Sequence, residues 1–453
     1  MRRVVITGVL AVVVVVAAAC GGSSSSSPSA TASQHIGGAV SVWAEWTSQE
    51  QTDFLQALQP FENATGITVN YSGKGSNMDT TLESAIQGGA PPDVALSPSP
   101  ATLQSLAKAG SIKDLTGIVG NLSSNFGSSW NQLATYNGKL YGVWFKAANK
   151  NTIWYNPAQF SAAGITSSPG TWEDLVKDAG QLQAAGVPPV SLCVDVGWPL
   201  ADMWQNIYLK TAGPDSYNKL ANHDIKWTDA SVTKAFTTMA QLVGNSQYLL
   251  GGLQGSLSNA YPDCVDKVFP KPPAATQAAQ VIEADFVVSE ITGNSTSYTA
   301  GTKAAGGATC TADTSKTPCY DFFAFPAPSG SSYSGAIQSA GDVAMLLNST
   351  PQAQALVKYL AGPQGAAIWA KLGGFSSPNK SVPSSSYPNS VAQSNAQQLV
   401  NASSTVFSLD DLQGSWEKQM WQDLINFLKD PSPAGITSVQ ATMEQQATAA
   451  LGH

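Results

Sequence analysis

The sequence predicts an α/β protein, with mostly parallel sheets flanked by helices, and three observations carry that prediction. Short β-branched runs alternate with stretches of helical spacing from Ala39 to Leu96. A strand-rich segment from Tyr136 to Asn156 is punctuated by Asn137-Gly138, a pair that favours positive φ in a two-residue hairpin. The chain has 453 residues, 43% of them hydrophobic, enough for cores in two or three domains.

Taken in order, Ala39 to Trp43 alternates as a first strand and runs into Ala44-Glu45-Trp46-Thr47. Gln49 to Phe61 places Phe54, Leu55, Leu58 and Phe61 at helical spacing, with Thr47 or Ser48 as N-cap. A second strand, Ile67 to Tyr71, leads through the loop Gly73 to Asn77 to a helix over Met78 to Gln87. The break Pro91-Pro92 precedes a third strand ending at Leu96. Ligands of such sheets bind beyond the carboxyl ends of the strands, which makes Glu45, Trp46, Asn77 and Ser97 candidate contacts. Thr152 to Tyr155 reads as a strand stopped by Asn156-Pro157, and Trp172 to Ala185 as an amphipathic helix.

The order Asn137-Gly138-Lys139-Leu140-Tyr141-Gly142-Val143, then a strand ending Tyr155-Asn156, then Thr171-Trp172-Glu173-Asp174-Leu175, resembles bacterial extracellular solute-binding proteins of carbohydrate ABC importers, the maltose-binding-protein-like family 1. Gly197-Trp198-Pro199, Lys210-Thr211-Ala212-Gly213-Pro214 and Tyr261-Pro262-Asp263-Cys264 resemble its α-glucoside-binding branch. A proline-bearing insertion over 265–279 departs from that branch. The resemblance implies a two-lobed fold of the periplasmic type II kind with three hinge crossings. Its boundaries would be 38–147 with 343–405 for one lobe and 148–342 with 406–453 for the other. It implies a small-molecule carbohydrate in the cleft, ABC permease subunits as partners and a monomer. By the same resemblance Lys146 to Asn149 lie beside the hinge and the cleft, and Trp144, Asn149, Trp198, Glu283, Asp285, Asp342, Asp411 and Trp421 are ligand-binding candidates. The glycines of Gly373-Gly374-Phe375 would let backbone approach it.

At the N-terminus Arg2-Arg3, an apolar run from Val4 to Ala19 and Cys20-Gly21 read as a signal peptide over 1–19 with Cys20 as the lipidation site. A Ser-rich tether follows over 20–37, and the membrane is reached through the lipid anchor only. The remaining cysteines, Cys193, Cys264, Cys310 and Cys319, are an even set for an oxidising compartment. Of three possible pairings, the short loop between Cys310 and Cys319 favours that pair, leaving Cys193 with Cys264.

The formal charge of −8, or −8 − 2 = −10 without Arg2 and Arg3, argues against nucleic acid as a partner. No cysteine spacing or neighbouring histidine suggests a metal, and no phosphate loop or nucleophile with a base suggests a cofactor or enzyme. The one enzymatic alternative is a lipid-anchored glycoside hydrolase using two carboxylates among Asp285, Asp342 and Asp411.

Overall fold

The computed structural model describes residues 35–302, 308–313 and 315–451. The proposed signal peptide, Cys20 and most of the tether lie outside these residues. No helix among the described residues is long and apolar enough to cross a membrane.

Thirteen strands are present among the described residues: β1 (Ala39–Ala44), β2 (Thr68–Gly73), β3 (Val94–Ser97), β4 (Thr135–Tyr136), β5 (Lys139–Leu140), β6 (Gly142–Asn149), β7 (Thr152–Tyr155), β8 (Val190–Ser191), β9 (Gln280–Val281), β10 (Thr299–Ala300), β11 (Cys319–Ala324), β12 (Ala336–Leu346) and β13 (Ser404–Phe407). The first sheet has the order β13-β12-β3-β1-β2, with β6 also on β12; the second has the order β10-β11-β7-β9-β8. Both sheets are mixed, whereas the sequence suggested mostly parallel ones. In the first, β1 pairs with β2 and β3, and β12 with β13, in parallel. The antiparallel pairs arise because β12 runs back against both β3 and β6. The hairpin β4–β5 turns through Asn137 at φ 48° and Gly138 at φ 76°, the positive values that the pair was expected to supply.

Each sheet faces its own core. Val42, Phe54, Leu96, Val143, Val343 and Trp369 belong to the first, and Ile153, Leu175, Trp204, Phe236, Leu424 and Met443 to the second. Three stretches of chain connect them. The β6–β7 junction carries Phe145 in the first core and Ile153 in the second; β12 begins with Ala336 in the second and ends with Val343 to Leu346 in the first. The third connection is β13 with the turn after it. A small cluster of Ala148, Ala284 and Ala340 sits between the cores. Such small side chains let the connecting strands pass closely.

Helix ends follow local chemistry. Thr171 and Asp174 form a reciprocal capping box at the start of Trp172–Ala184, and Asn156 caps Pro157–Ala162. Thr47 precedes the helix Ser48–Thr65, without a side-chain cap bond. Both expected disulfides form, Cys193–Cys264 with Cα atoms 5.4 Å apart and Cys310–Cys319 at 5.5 Å.

Candidate functional site

A cavity of about 570 Å³ opens where residues from both cores meet. One wall comes from beyond the carboxyl ends of parallel strands: Glu45 follows β1, and Gly75 and Ser76 follow β2. Asp79, Thr80 and Glu83 add the first turns of the helix Met78–Gln87. The connecting strands supply Lys146, Lys150, Ala340, Gly341 and Asp342. From the side of the second sheet come Trp198, Tyr261, Phe286, Glu290, Asp410, Asp411, Glu417, Lys418 and Trp421, Tyr261 and Phe286 packing on a separate cluster that includes Trp154 and Val281.

The aromatic side of the cavity is a packed group. Trp198, the first residue of the helix Trp198–Ala221, meets Tyr261 edge to face at 5.6 Å and Phe286 at 5.9 Å, and Tyr261 meets Phe286 at 5.4 Å. Gly197 precedes it at φ 91°, and a Cβ there would fall 2.8 Å from Trp421 Cβ and 2.9 Å from the Trp421 carbonyl oxygen. Only glycine lets the loop before Trp198 lie so close to the helix Glu417–Lys429. The Trp421 indole N–H donates to Asp410 Oδ2 at 2.8 Å.

Carboxylates dominate the polar side: Glu45, Glu50, Asp79, Glu83, Glu290, Asp342, Asp410, Asp411 and Glu417 outnumber the three lysines. Lys146 pairs with Glu50, and Lys150 with Asp202 at 2.7 Å. Burial pushes Asp342 up to about 6 despite the neighbouring Lys146. Glu45 is raised well above its ordinary range by burial first, then by the charges of Asp342 and Glu50. Asp411 and Glu417 are raised for the same leading reason, and burial and Glu50 bring Glu290 to about 7. Asp342 Oδ1 and Asp411 Oδ2 are buried with no hydrogen-bond partner. These are acceptors awaiting donors, which hydroxyl groups of a ligand can supply.

Asp410, Asp411 and Glu417 bring oxygens within 4.8 Å of one another, a spacing that a hard cation could bridge. Both Asp410 oxygens, however, already accept from Gln205 and Trp421. The other such group, Cys193, Cys264 and Glu283, has its sulfurs in a disulfide.

Residues 44–367 of the chain match the model of bacterial extracellular solute-binding proteins. The chain belongs to that family. Among its relatives, the osmoprotective compounds-binding protein GgtB of Synechocystis is 29% identical over 380 residues, 82% of this chain and 84% of that one. The α-glucosides-binding periplasmic protein AglE of Rhizobium meliloti is 26% identical over 420 residues, 89% and 86% of the two chains. The solved bacterial solute receptor AcbH superposes with a TM-score of 0.76 at 19% identity, covering 91% of this chain and 99% of its own, and so shares the two-lobed fold of this family.

Of the residues singled out in the sequence of this family member, Glu45, Trp198, Asp342, Asp411 and Trp421 line the cavity. The others do not. Trp46 packs in the first core, 4.8 Å from Phe54 and edge to face with Trp369 at 4.8 Å, because the residue after Glu45 turns to the opposite side. Trp144 lies in that core with its N–H on the Trp130 carbonyl. Ser97 is buried and donates to Asp79 Oδ1 at 2.7 Å, and Asn77 is exposed and receives Lys418 at 3.4 Å. Asn149 and Asp285 meet each other and Asn395 at the β6–β7 junction, where Ser376 also donates to Asp285. Glu283 is buried near Asp202 and Lys150, and burial keeps its carboxyl well above the usual range.

Gly373 and Gly374 also serve a different contact from the expected one. A Cβ on Gly374 would come within 2.2 Å of Ser289 Oγ, so the glycines let this loop abut the helix Val287–Asn294 rather than a ligand. Phe375 packs on Trp369 at 5.1 Å. The cavity residues that sequence reading passed over, among them Glu50, Asp79, Tyr261, Phe286, Glu290 and Glu417, come from helix starts and turns. Periodicity alone does not mark such positions. The Tyr261-Pro262 motif was the one signal pointing at this group.

Proposed function

We propose that the protein is a lipid-anchored receptor that captures a sugar, an α-glucoside di- or oligosaccharide, in this cavity and delivers it to an ABC permease. The carrying observation is the mixed lining of one cavity, packed aromatic rings together with buried carboxylate oxygens that lack partners. A pyranose offers both counterparts, a CH face for an indole and hydroxyl donors for buried oxygens. Glu45, Asp342 and Asp411 accept from hydroxyls, Trp198 and Trp421 stack, and closure about the three connections completes the site. The name of AglE, an α-glucosides-binding protein, supports this class of ligand. Glycoside hydrolysis finds less support: of the three carboxylates it would draw on, Asp285 does not line the cavity and is held by Asn149, Ser376 and Asn395.

Calorimetry with maltose, trehalose, sucrose, cellobiose and galactose tests the reading. Binding of the α-linked glucosides in preference to cellobiose, with no sugar released, is the expected result. Absence of binding to all five, or release of monosaccharide, overturns it. Radiolabelled palmitate incorporation that is lost in Cys20→Ser checks the anchor.

A further inference from the structure

The Trp421 indole is fixed from behind. Asp410 Oδ2 accepts its N–H, and the second oxygen, Oδ1, accepts from Gln205 Nε2 at 2.8 Å. Gln205 lies within the helix Trp198–Ala221, wholly buried. Its Oε1 accepts from the Leu409 N–H at 2.6 Å, the Tyr217 hydroxyl at 2.8 Å and Gln338 Nε2 at 3.1 Å. Gln338, in β12, also donates to Asp202 Oδ1 at 3.1 Å, and Asp202 holds Lys150 in the β6–β7 junction.

One amide therefore touches, directly or through Gln338 and Asp202, all three connections between the cores. We propose that Gln205, acting through Asp410, is a positioning residue that sets the angle of the Trp421 ring in the cleft and registers it to the connecting strands. The inference rests on Trp421 as the stacking surface of the sugar receptor. Ligand selectivity then depends on a side chain that never reaches the ligand.

The chemistry favours an amide here. Asp410 and the Leu409 N–H need a donor and an acceptor at one buried point, and a glutamine supplies both. Leucine supplies neither: it strands a carboxylate oxygen of Asp410 and leaves the Leu409 N–H with the Tyr217 hydroxyl alone, at 2.9 Å. Glutamate keeps the acceptor but sets a second carboxyl against Asp410.

The test uses the full chain with ¹⁵N-labelled tryptophan, the Trp421 indole resonance being the one that disappears in Trp421→Phe. In Gln205→Leu and Gln205→Glu this resonance is expected to shift, and its exchange with solvent to quicken by about tenfold. The Trp416 resonance, whose N–H is held by Gln446 at 2.8 Å, should stay in place. Any sugar that binds the parent protein should bind the variants about fivefold more weakly, with a changed order of preference among sugars.

Where Gln205→Leu does not fold, Gln205→Glu, which keeps the acceptor for the Leu409 N–H and loses only the donor to Asp410, carries the test alone. A Trp421 resonance that does not move in a folded variant overturns the positioning role, whatever the sugars do. A parent protein that binds no sugar overturns the receptor reading, while the resonance still decides whether Gln205 orients the ring.

Discussion

The two walls of the cleft use the same residue types in opposite ways. On the first-core side Trp46, Trp144 and Trp369 are interior, no tryptophan among the described residues lines the cavity, and carboxylates such as Glu45 and Asp79 face the opening. On the second-core side Trp198 and Trp421 line the opening, while Trp204 and Trp227 fill the interior in a stack at 5.2 Å. The second-core side thus offers flat apolar surface together with carboxylates such as Asp411 and Glu417, and the first-core side carboxylates without a ring. A tryptophan near a strand end reveals nothing about function until its side of the strand is known.

The sharpest way to break this comparison is to truncate one indole from each class. Trp46→Ala should lose about 3–5 kcal/mol of stability in denaturant unfolding, as core Trp-to-Ala changes do, with sugar affinity of the folded fraction unchanged. Reduced affinity at unchanged stability would move Trp46 to the cleft. Trp421→Ala should reverse the pattern, weakening binding at least about tenfold, about 1.4 kcal/mol, in calorimetry while the fold persists. An unaltered affinity would remove the indole from the site.

The acid wall makes a titration prediction of smaller size. The Asp342 carboxyl stands at about 6, above its ordinary 3.8, so the folded state holds its proton more tightly than the unfolded chain. Its contribution is full below about pH 4 and is lost as pH rises to about 6, at roughly 1 kcal/mol per pKa unit. Asp342→Asn should flatten the fall in unfolding free energy over that window; an unchanged slope would place the proton elsewhere. The smallest effect is expected at Asp79, whose two oxygens already accept from Ser97 at 2.7 Å and Thr102 at 2.9 Å. Asp79→Asn should change sugar affinity by under about threefold in the same calorimetry, about half the free energy of a tenfold change. A larger loss would make it a direct contact.

Much of the fold could be read from the chain because local signals agreed with the tertiary outcome. Asn137-Gly138 made its hairpin, Met78 to Gln87 its helix, and Thr171 its capping box. The mixed pairing of β12 was not legible, since register between distant strands leaves no local trace. The helix Ser390–Asn401, polar over most of its length, also escaped notice. At the site, Trp198 and Trp421 were found through motifs. Asp285 does not line the cavity, and a buried carboxylate holding Asn149, Ser376 and Asn395 has the same sequence signature as one awaiting a ligand.

The bond between Cys193 and Cys264 fastens the loop leading into Trp198 to the segment just after Tyr261. The aromatic panel is therefore riveted before any guest arrives, and it depends on electrons being withdrawn from two thiols. Produced in a thiol-rich cytosol, the chain would fold its two cores and pass for intact by bulk spectroscopy, yet present a slack, poorly discriminating face. Treating such material with an oxidising glutathione mixture, and nothing else, should restore its grip.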